Sequence, residues 1–386
     1  MRHHRFQWLI GSLLVLVTLA ISGAIYFTQH RPRTVAVVKS HMIQQHYRQW
    51  QREYLSGNQV KHVRTTTKGP EQTLSEAQGY GMLITVLAAE HGIATRRTFD
   101  QLTRYYLDHR IGRHNALMAW RQQQVQHQMK DREAAATSAT DGDLDIAYAL
   151  LLAHERWGSI GDLDYKTLAQ QLISDIEKYE INPRTKLPRV GNWATSRQSA
   201  QIIRPSDLST AYFRKFAKYM QDGSWIKVAL NSQKVLQKIS DRHSTGLIPD
   251  FIRVTNQDLN LQDVRPNQIA SKFDNAYGFN ACRVPWRAAY DYQVSKSPLS
   301  GEVAEKLLTF FSHQKDIKAV YTLGGQAQEK YSSPAFTAPL AYAAQAMGHE
   351  GLSQRYLPFL TAKQPADNYY AATLQMLMLV MSGDLA

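Results

Sequence analysis

Between residues 41 and 386, apolar side chains recur at three- and four-residue intervals in short runs. Polar stretches that contain Gly and Pro separate the runs. That spacing predicts helices near 42–55, 75–91, 96–109, 142–157, 165–180, 206–220, 224–240, 275–293, 300–312, 334–348, 352–360 and 367–382. Alternating patterns that would predict strands are few. Twelve helices without a convincing sheet suggest six helical hairpins, which can close into an α/α toroid. In such a toroid the inner helices run parallel, and their N-termini gather at one end. Three long non-helical stretches interrupt the pattern: Ile111–Thr140, Ile181–Arg204 and Gly246–Ile269. Loops of that length inside a compact domain are usually functional, and two of them lead directly into acid-bearing helices. Nothing between 41 and 386 reads as a linker, so this stretch is one all-α domain.

The first residues follow a different pattern. Met1-Arg-His-His-Arg5 precedes an apolar run from about Phe6 to Phe27, long enough to cross a bilayer once. Ser22-Gly-Ala24 resembles a cleavage site, so residues 1–28 are a membrane anchor or a signal peptide. The basic start and the length favour an uncleaved anchor. Residues 29–40 are basic and contain Pro, as a short linker would be. The expected location is the extracellular face of the cell membrane, or outside the cell altogether.

Candidate chemistry lies at the helix starts. Thr140 is a good N-cap, and Asp141, Asp143 and Asp145 follow where the helix dipole favours negative charge. Ile146, Leu150, Ala153 and Trp157 then make a buried stripe. Dipole complementation alone would also place acids there. Ser75 and Gln78 form a plausible capping box that puts Glu76 at the first helical position. Gly79 and Gly81 fall inside the first turns of that helix at a cost of about 1 kcal/mol each, which suggests that something approaches the backbone closely. Arg204-Pro-Ser-Asp-Leu-Ser209 repeats the layout, with Ser206 able to cap and Asp207 at the first helical position. If the three N-termini share one end of the domain, their carboxylates converge. Two or three convergent carboxylates are what glycoside hydrolysis uses.

Composition changes this picture only a little. The formal charge is +13, but Lys and Arg are scattered, so no nucleic-acid partner is expected. A basic surface favours an anionic polymer or envelope. Cys282 is the only cysteine, so no intrachain disulfide can form. No Cys/His cluster suggests a metal site and no phosphate-binding glycine loop occurs, so no cofactor is expected.

Ser75–Ile84, Leu117–Arg121, Ala139–Trp157, Pro205–Phe213 and Ala281–Arg287 occur in the order seen in glycoside hydrolase family 8. Ala139–Trp157 matches that family's signature at its full spacing. The resemblance covers about residues 41–386, and the family includes endo-β-1,4-glucanases, chitosanases, xylanases and hydrolases that accompany bacterial cellulose synthesis. It implies an (α/α)6 barrel and an inverting mechanism, with acid and base carboxyls roughly 6.5–9.5 Å apart. It also implies that Glu76 is the general acid and that Asp141 binds and distorts the sugar at the cleavage point. One position departs from the family. Many members carry an aspartate base just before the Ala-Cys-Arg segment, and here that position is Asn280, which cannot accept a proton. The position matching Asp207 is commonly a tyrosine that helps hold the attacking water. One reading exchanges the roles, with Asp207 as base and Asn280 orienting the water. The others place the base at Asp250, Asp258, Asp263 or Asp141, or leave the protein without one. Asp274 reads as a helix cap.

Glu76 must hold a proton near the operating pH. A helix N-terminus lowers its pKa, while burial and a neighbouring carboxylate raise it. Tyr80, Trp120, Trp193, Tyr277 and Trp286 are candidate sugar contacts, although Trp120 and Trp286 could equally be core. Arg121, Arg283 and Arg287 can bridge sugar hydroxyls or brace the carboxylates. The expected protein is a hydrolase of β-linked, β-1,4-type polysaccharide at the envelope, monomeric in its catalytic domain. The cell's own exopolysaccharide is a candidate substrate. A polysaccharide-binding barrel that has lost its base, as Asn280 suggests, is the competing reading. A uronate lyase on the same toroid lacks a clear Tyr/His/Arg constellation.

Overall fold

Twelve α-helices are found among the described residues, which are 40–132 and 137–383 of this computed structural model. The apolar segment expected over 1–28 and nearly all of the basic linker lie outside them. Among the described residues no helix is long and apolar enough to cross a membrane. In chain order the helices are α1 Ser40–Tyr54, α2 Ser75–Ala88, α3 Arg96–Asp108, α4 Thr140–Trp157, α5 Tyr165–Glu180, α6 Thr210–Met220, α7 Ser224–Ser240, α8 Val284–Ser295, α9 Pro298–Ser312, α10 Pro334–Ala346, α11 Glu350–Thr361 and α12 Tyr369–Gly383.

Burial sorts them into two rings. The odd-numbered helices are amphipathic. For example, α3 buries Phe99, Leu102, Tyr105 and Tyr106 and leaves its other face in water. By contrast, α2, α4, α10 and α12 are buried on nearly all sides. A helix that is apolar all round belongs inside. The remaining even-numbered helices, α6 and α8, bury mainly their first halves. Around the inner ring α2 packs on α4, α6 on α8, α8 on α10, α10 on α12, and α12 back on α2. Tyr148 of α4 stacks on Tyr212 of α6 with ring centroids 3.7 Å apart, which closes the ring. The outer helices pack behind, α5 on α4 and α11 on α10 among them. This is the expected (α/α)6 barrel.

Close approach of neighbouring elements explains the costly glycines, and a Cβ on Gly81 would lie 2.4 Å from Val63 Cγ2. A Cβ on Gly79 would lie 2.8 Å from the Asp145 Cβ, and one on Gly142 would lie 2.4 Å from the Ser75 Oγ. What approaches the α2 backbone at Gly79 is therefore the first turn of α4.

Three local expectations are corrected. Ser75 and Gln78 make no capping box: Gln78 instead accepts from the Val63 N–H at 3.3 Å and donates to the Leu102 carbonyl at 2.8 Å. Asp207 is not helical but ends a 3₁₀ turn, Pro205–Asp207, with α6 starting at Thr210. The helix predicted near 275–293 begins only at Val284, after a 3₁₀ turn over Ala281–Arg283. Pro285 suits that start, because its missing N–H is an orphan there anyway.

The insertions contain short antiparallel ladders. Gln72–Leu74 pairs with Arg121–Val125, which pairs with Gln128–Asp131. Ile202–Ile203 pairs with Ile252–Val254, in the register Ile202 to Arg253, and Leu261–Gln262 adds a third strand. The second ladder ties the 181–204 and 246–269 insertions together beside the start of α6.

Candidate active site

The N-terminal ends of five inner helices meet at one place. Glu76 comes from α2, Asp141 from α4, Arg204 and Asp207 from the turn before α6, Arg283 from the turn before α8, and Tyr369 from α12. Their charges alternate. Arg283 Nη1 donates to Asp141 Oδ2 at 2.9 Å and lies 3.3 Å from Glu76 Oε2. Arg204 Nη1 donates to the same Asp141 oxygen, and its Nε lies 3.4 Å from Asp207 Oδ2. The order is thus Glu76, Arg283, Asp141, Arg204, Asp207.

That order sets the protonation. Burial pushes the Glu76 carboxyl up to about 7 against the pull of Arg283, and the charge of Asp141 pushes the same way. Tyr369 Oη donates to Glu76 Oε1 at 2.9 Å. Asp141 is also buried, but Arg204 and Arg283 outweigh the burial and hold it well below the usual carboxylate range. The Gly142 N–H donates to its Oδ1 at 3.0 Å. Asp207 is 1 % exposed under Arg204, and burial lifts it to about 7. Neither of its oxygens has a hydrogen-bond partner among the described residues. One carboxylate that stays ionised therefore stands between two carboxyls that change charge near neutrality. Pairs of carboxyls with divergent environments are the usual basis of acid and base roles.

The three acids at the start of α4 diverge. At about 100° per residue, Asp141 and Asp145 lie about 40° apart and Asp143 points the other way. Asp145 accepts from Arg287 Nη2 at 2.8 and 2.9 Å. Asp143 is fully buried and accepts from the Met118 N–H at 2.9 Å, with Glu180 beside it. Burial raises both, Glu180 to about 7.

The other candidate bases are occupied or exposed. Asp250 Oδ1 accepts the N–H groups of Gly278, Asn280 and Ala281 at 3.1, 2.9 and 2.7 Å. This pins the turn that carries Arg283, and a Cβ on Gly278 would sit 2.5 Å from Asp250 Oδ2. Asn280 is tied on both sides: its amide donates to Asp250 at 3.3 Å, and its carbonyl accepts from Arg283 Nη2 at 3.0 Å. Asp263 is exposed and binds Arg242 at 2.7 and 2.8 Å. Asp258 is exposed. Asp274 accepts the N–H groups of Ile269, Ala270 and Ser271, so it fastens a loop rather than capping a helix.

Several expected sugar contacts are core instead. Tyr277 is fully buried against Phe311 and Phe336. Trp286 is buried between Tyr80 and the Arg287 guanidinium, which lies 3.8 Å from its ring centroid. Tyr80 is buried too, and its hydroxyl accepts from Arg283 Nη1 at 3.0 Å. Arg283 and Arg287 are buried and brace carboxylates. Trp193 is 50 % exposed on the 181–204 insertion, open to a ligand. Trp120 is half-buried under Arg121, whose Nη2 donates to Gln72 Oε1 at 3.0 Å. Arg204 and Tyr369 were missed as site residues. The cation that follows Ile202-Ile203 was a readable signal for Arg204, whereas Tyr369 offered only an aromatic pair at a helix start.

Comparisons with known proteins identify the family and the fold. A family model described as glycosyl hydrolases family 8 matches residues 17–384. The β-glucanase of Niallia circulans is 29 % identical over 380 residues, which is 93 % of this chain and 90 % of that one. An endoglucanase of Bacillus sp. (strain KSM-330) is 30 % identical over 314 residues, 77 % of this chain and 66 % of that one. Among solved structures, the apo β-1,3-1,4-glucanase from Paenibacillus sp. X4 is 27 % identical with a TM-score of 0.83, covering 90 % of this chain and 94 % of that chain. A cold-adapted family 8 xylanase, 19 % identical over 92 % of this chain and 95 % of its own, shares the fold with a TM-score of 0.74. The chain belongs to glycosyl hydrolases family 8 and is an O-glycosyl hydrolase on that family's (α/α)6 barrel.

Proposed function

We propose that this chain hydrolyses a β-linked, β-1,4-type glucan backbone with inversion, with Glu76 as general acid and Asp207 as general base. The supporting observation is the alternating row in which ionised Asp141 separates two carboxyls poised near neutrality. Glu76, in its protonated form, gives its proton to the leaving glycosidic oxygen as the bond to the anomeric carbon breaks. Asp141 holds a hydroxyl of the distorted sugar at the cleavage point. Asp207 takes a proton from the water whose oxygen forms the new bond on the opposite face. It meets that water once the Arg204 guanidinium swings from Asp207 toward the sugar. Asn280, an amide fixed between Asp250 and Arg283, then orients the water without accepting its proton.

The β-glucanase and endoglucanase names of the relatives support a glucan. The apolar run in residues 1–28 supports a place at the outer face of the membrane or outside the cell, with the cell's own exopolysaccharide within reach. Reducing-end release from β-glucans, xylan and chitosan tests the reading, comparing the chain with its Glu76→Gln and Asp207→Asn forms. Loss of release in both variants upholds the pair. Activity that survives Asp207→Asn removes Asp207 as base. Binding without release by the unaltered chain favours the competing reading of a barrel that has lost its chemistry.

A further inference from the structure

A cavity of about 780 Å³ lies between the 181–204 and 246–269 insertions. Arg184, Arg189 and Arg197 line it, together with one acid, Asp258. The arginines of the carboxylate row and its surroundings, Arg204, Arg283 and Arg287, find carboxylates, as do Arg214 and Arg242. Among the described residues the three cavity arginines have no such partner. Arg189 is half-buried. Its Nη1 reaches only the Tyr179 carbonyl at 3.4 Å, and its buried Nε has no acceptor. A guanidinium withdrawn from water without a counter-charge is costly unless something supplies one. Burial indeed lowers its pKa. Asp258 does not neutralise the wall, since it is exposed and takes a hydrogen bond from Asn256 Nδ2 at 3.4 Å.

The cavity adjoins the carboxylate row. The Val190 carbonyl, next to Arg189, accepts from the Thr140 N–H and from Arg204 Nη2, both at 3.4 Å. Gln201 in the cavity wall leads through Ile202–Ile203 to Arg204, a path of about 10 Å at ~3.3 Å per extended residue. A polymer held across the cleavage point covers that distance within a few sugars. The net charge of +13 adds a favourable field for an acidic chain.

We propose that this cavity is a substrate subsite for an anionic substituent, a carboxylate or an acidic ester, so that the preferred substrate is an acidic β-glycan. Arg189 is the half-buried anchor, and Arg184 and Arg197 close on the anion from the exposed side. The inference rests on the proposed hydrolysis of a β-glucan backbone and names the class of polymer that the same site takes.

The test uses the full chain and three soluble polymers: carboxymethyl-cellulose, cellulose sulfate and neutral hydroxyethyl-cellulose. Arg184→Ala/Arg197→Ala is expected to raise KM for the better anionic polymer about tenfold, the loss of one or two charge-assisted contacts, with kcat unchanged. KM for hydroxyethyl-cellulose should not move. Lys227→Ala/Lys234→Ala removes the same charge from α7 and should leave all KM values unaltered. Which anionic polymer loses more distinguishes a carboxylate from an ester. Equal effects on charged and neutral polymers, or an equal effect of the α7 control, overturn the subsite. Affinity electrophoresis in the same polymers separates the two readings. If nothing is cleaved, the hydrolysis reading fails, while retardation by an anionic polymer alone that the Arg184/Arg197 variant loses still upholds the subsite. Cleavage without discrimination does the reverse.

Discussion

Replacing Asp207 with Asn should stabilise the protein at alkaline pH while disabling it. Asp207 is buried beneath Arg204, and burial raises its carboxyl from about 3.8 to about 7. At 1.36 kcal/mol for each tenfold change, ionising it inside the fold costs about 4 kcal/mol relative to the unfolded chain. A raised carboxyl favours the folded state most below its unfolded value, so this contribution is complete below about pH 4 and is lost as pH rises through 7. Asn does not titrate and has nearly the same shape. Thermal unfolding followed by circular dichroism should therefore show little difference between the two proteins near pH 4. At pH 8 the variant should melt higher by roughly 5–8 °C, at about 2 °C per kcal/mol or less for so large a domain. Turnover of the variant should fall by about 10²-fold or more, as removal of a general base does. A variant that melts lower than the parent at pH 8, or a difference that grows as pH falls, refutes the view that Asp207 is held against its charge.

Two further outcomes follow from the same electrostatics. Glu76 must keep a proton and Asp207 must have lost one, and both lie near 7, so kcat/KM should be bell-shaped around neutrality. The alkaline limb belongs to Glu76 and the acidic limb to Asp207, and residual activity of Asp207→Asn should lack the acidic limb. Arg287→Met would leave Asp145 buried without its ion-pair partner, and urea unfolding should show a loss of about 3–5 kcal/mol. A loss under 1 kcal/mol would mean that Asp145 is neutral in the fold.

The fold was legible because the inner helices state their burial in composition. The even stretch of Leu, Met, Ala and Val through 369–383 admits no solvated face. The convergence of Glu76, Asp141 and Asp207 was legible because all three stand at or just before inner-helix starts. What spacing could not show was direction. Asp143 and Asp145 differ from Asp141 by rotation about α4, and only the neighbours Met118 and Arg287 reveal where each points. The late start of α8 was hidden because Asp250 holds the preceding turn from thirty residues away, a long-range contact with no local signature. Tyr277 and Trp286 read as sugar platforms because an aromatic side chain in a loop or at a helix start looks the same whether it faces solvent or core. The surrounding Phe311, Phe336 and Tyr80 settle it.

Azide rescue of Asp207→Ala tests most directly whether Asp207 activates the water. Azide needs no base and fits the space that the carboxylate vacates beside Arg204. If Asp207 is the base, the variant should lose hydrolysis and, with azide, accumulate an α-glycosyl azide visible by proton NMR. Hydrolysis by Asp207→Ala at the parent rate, with no azide product, would contradict the account and place the base elsewhere.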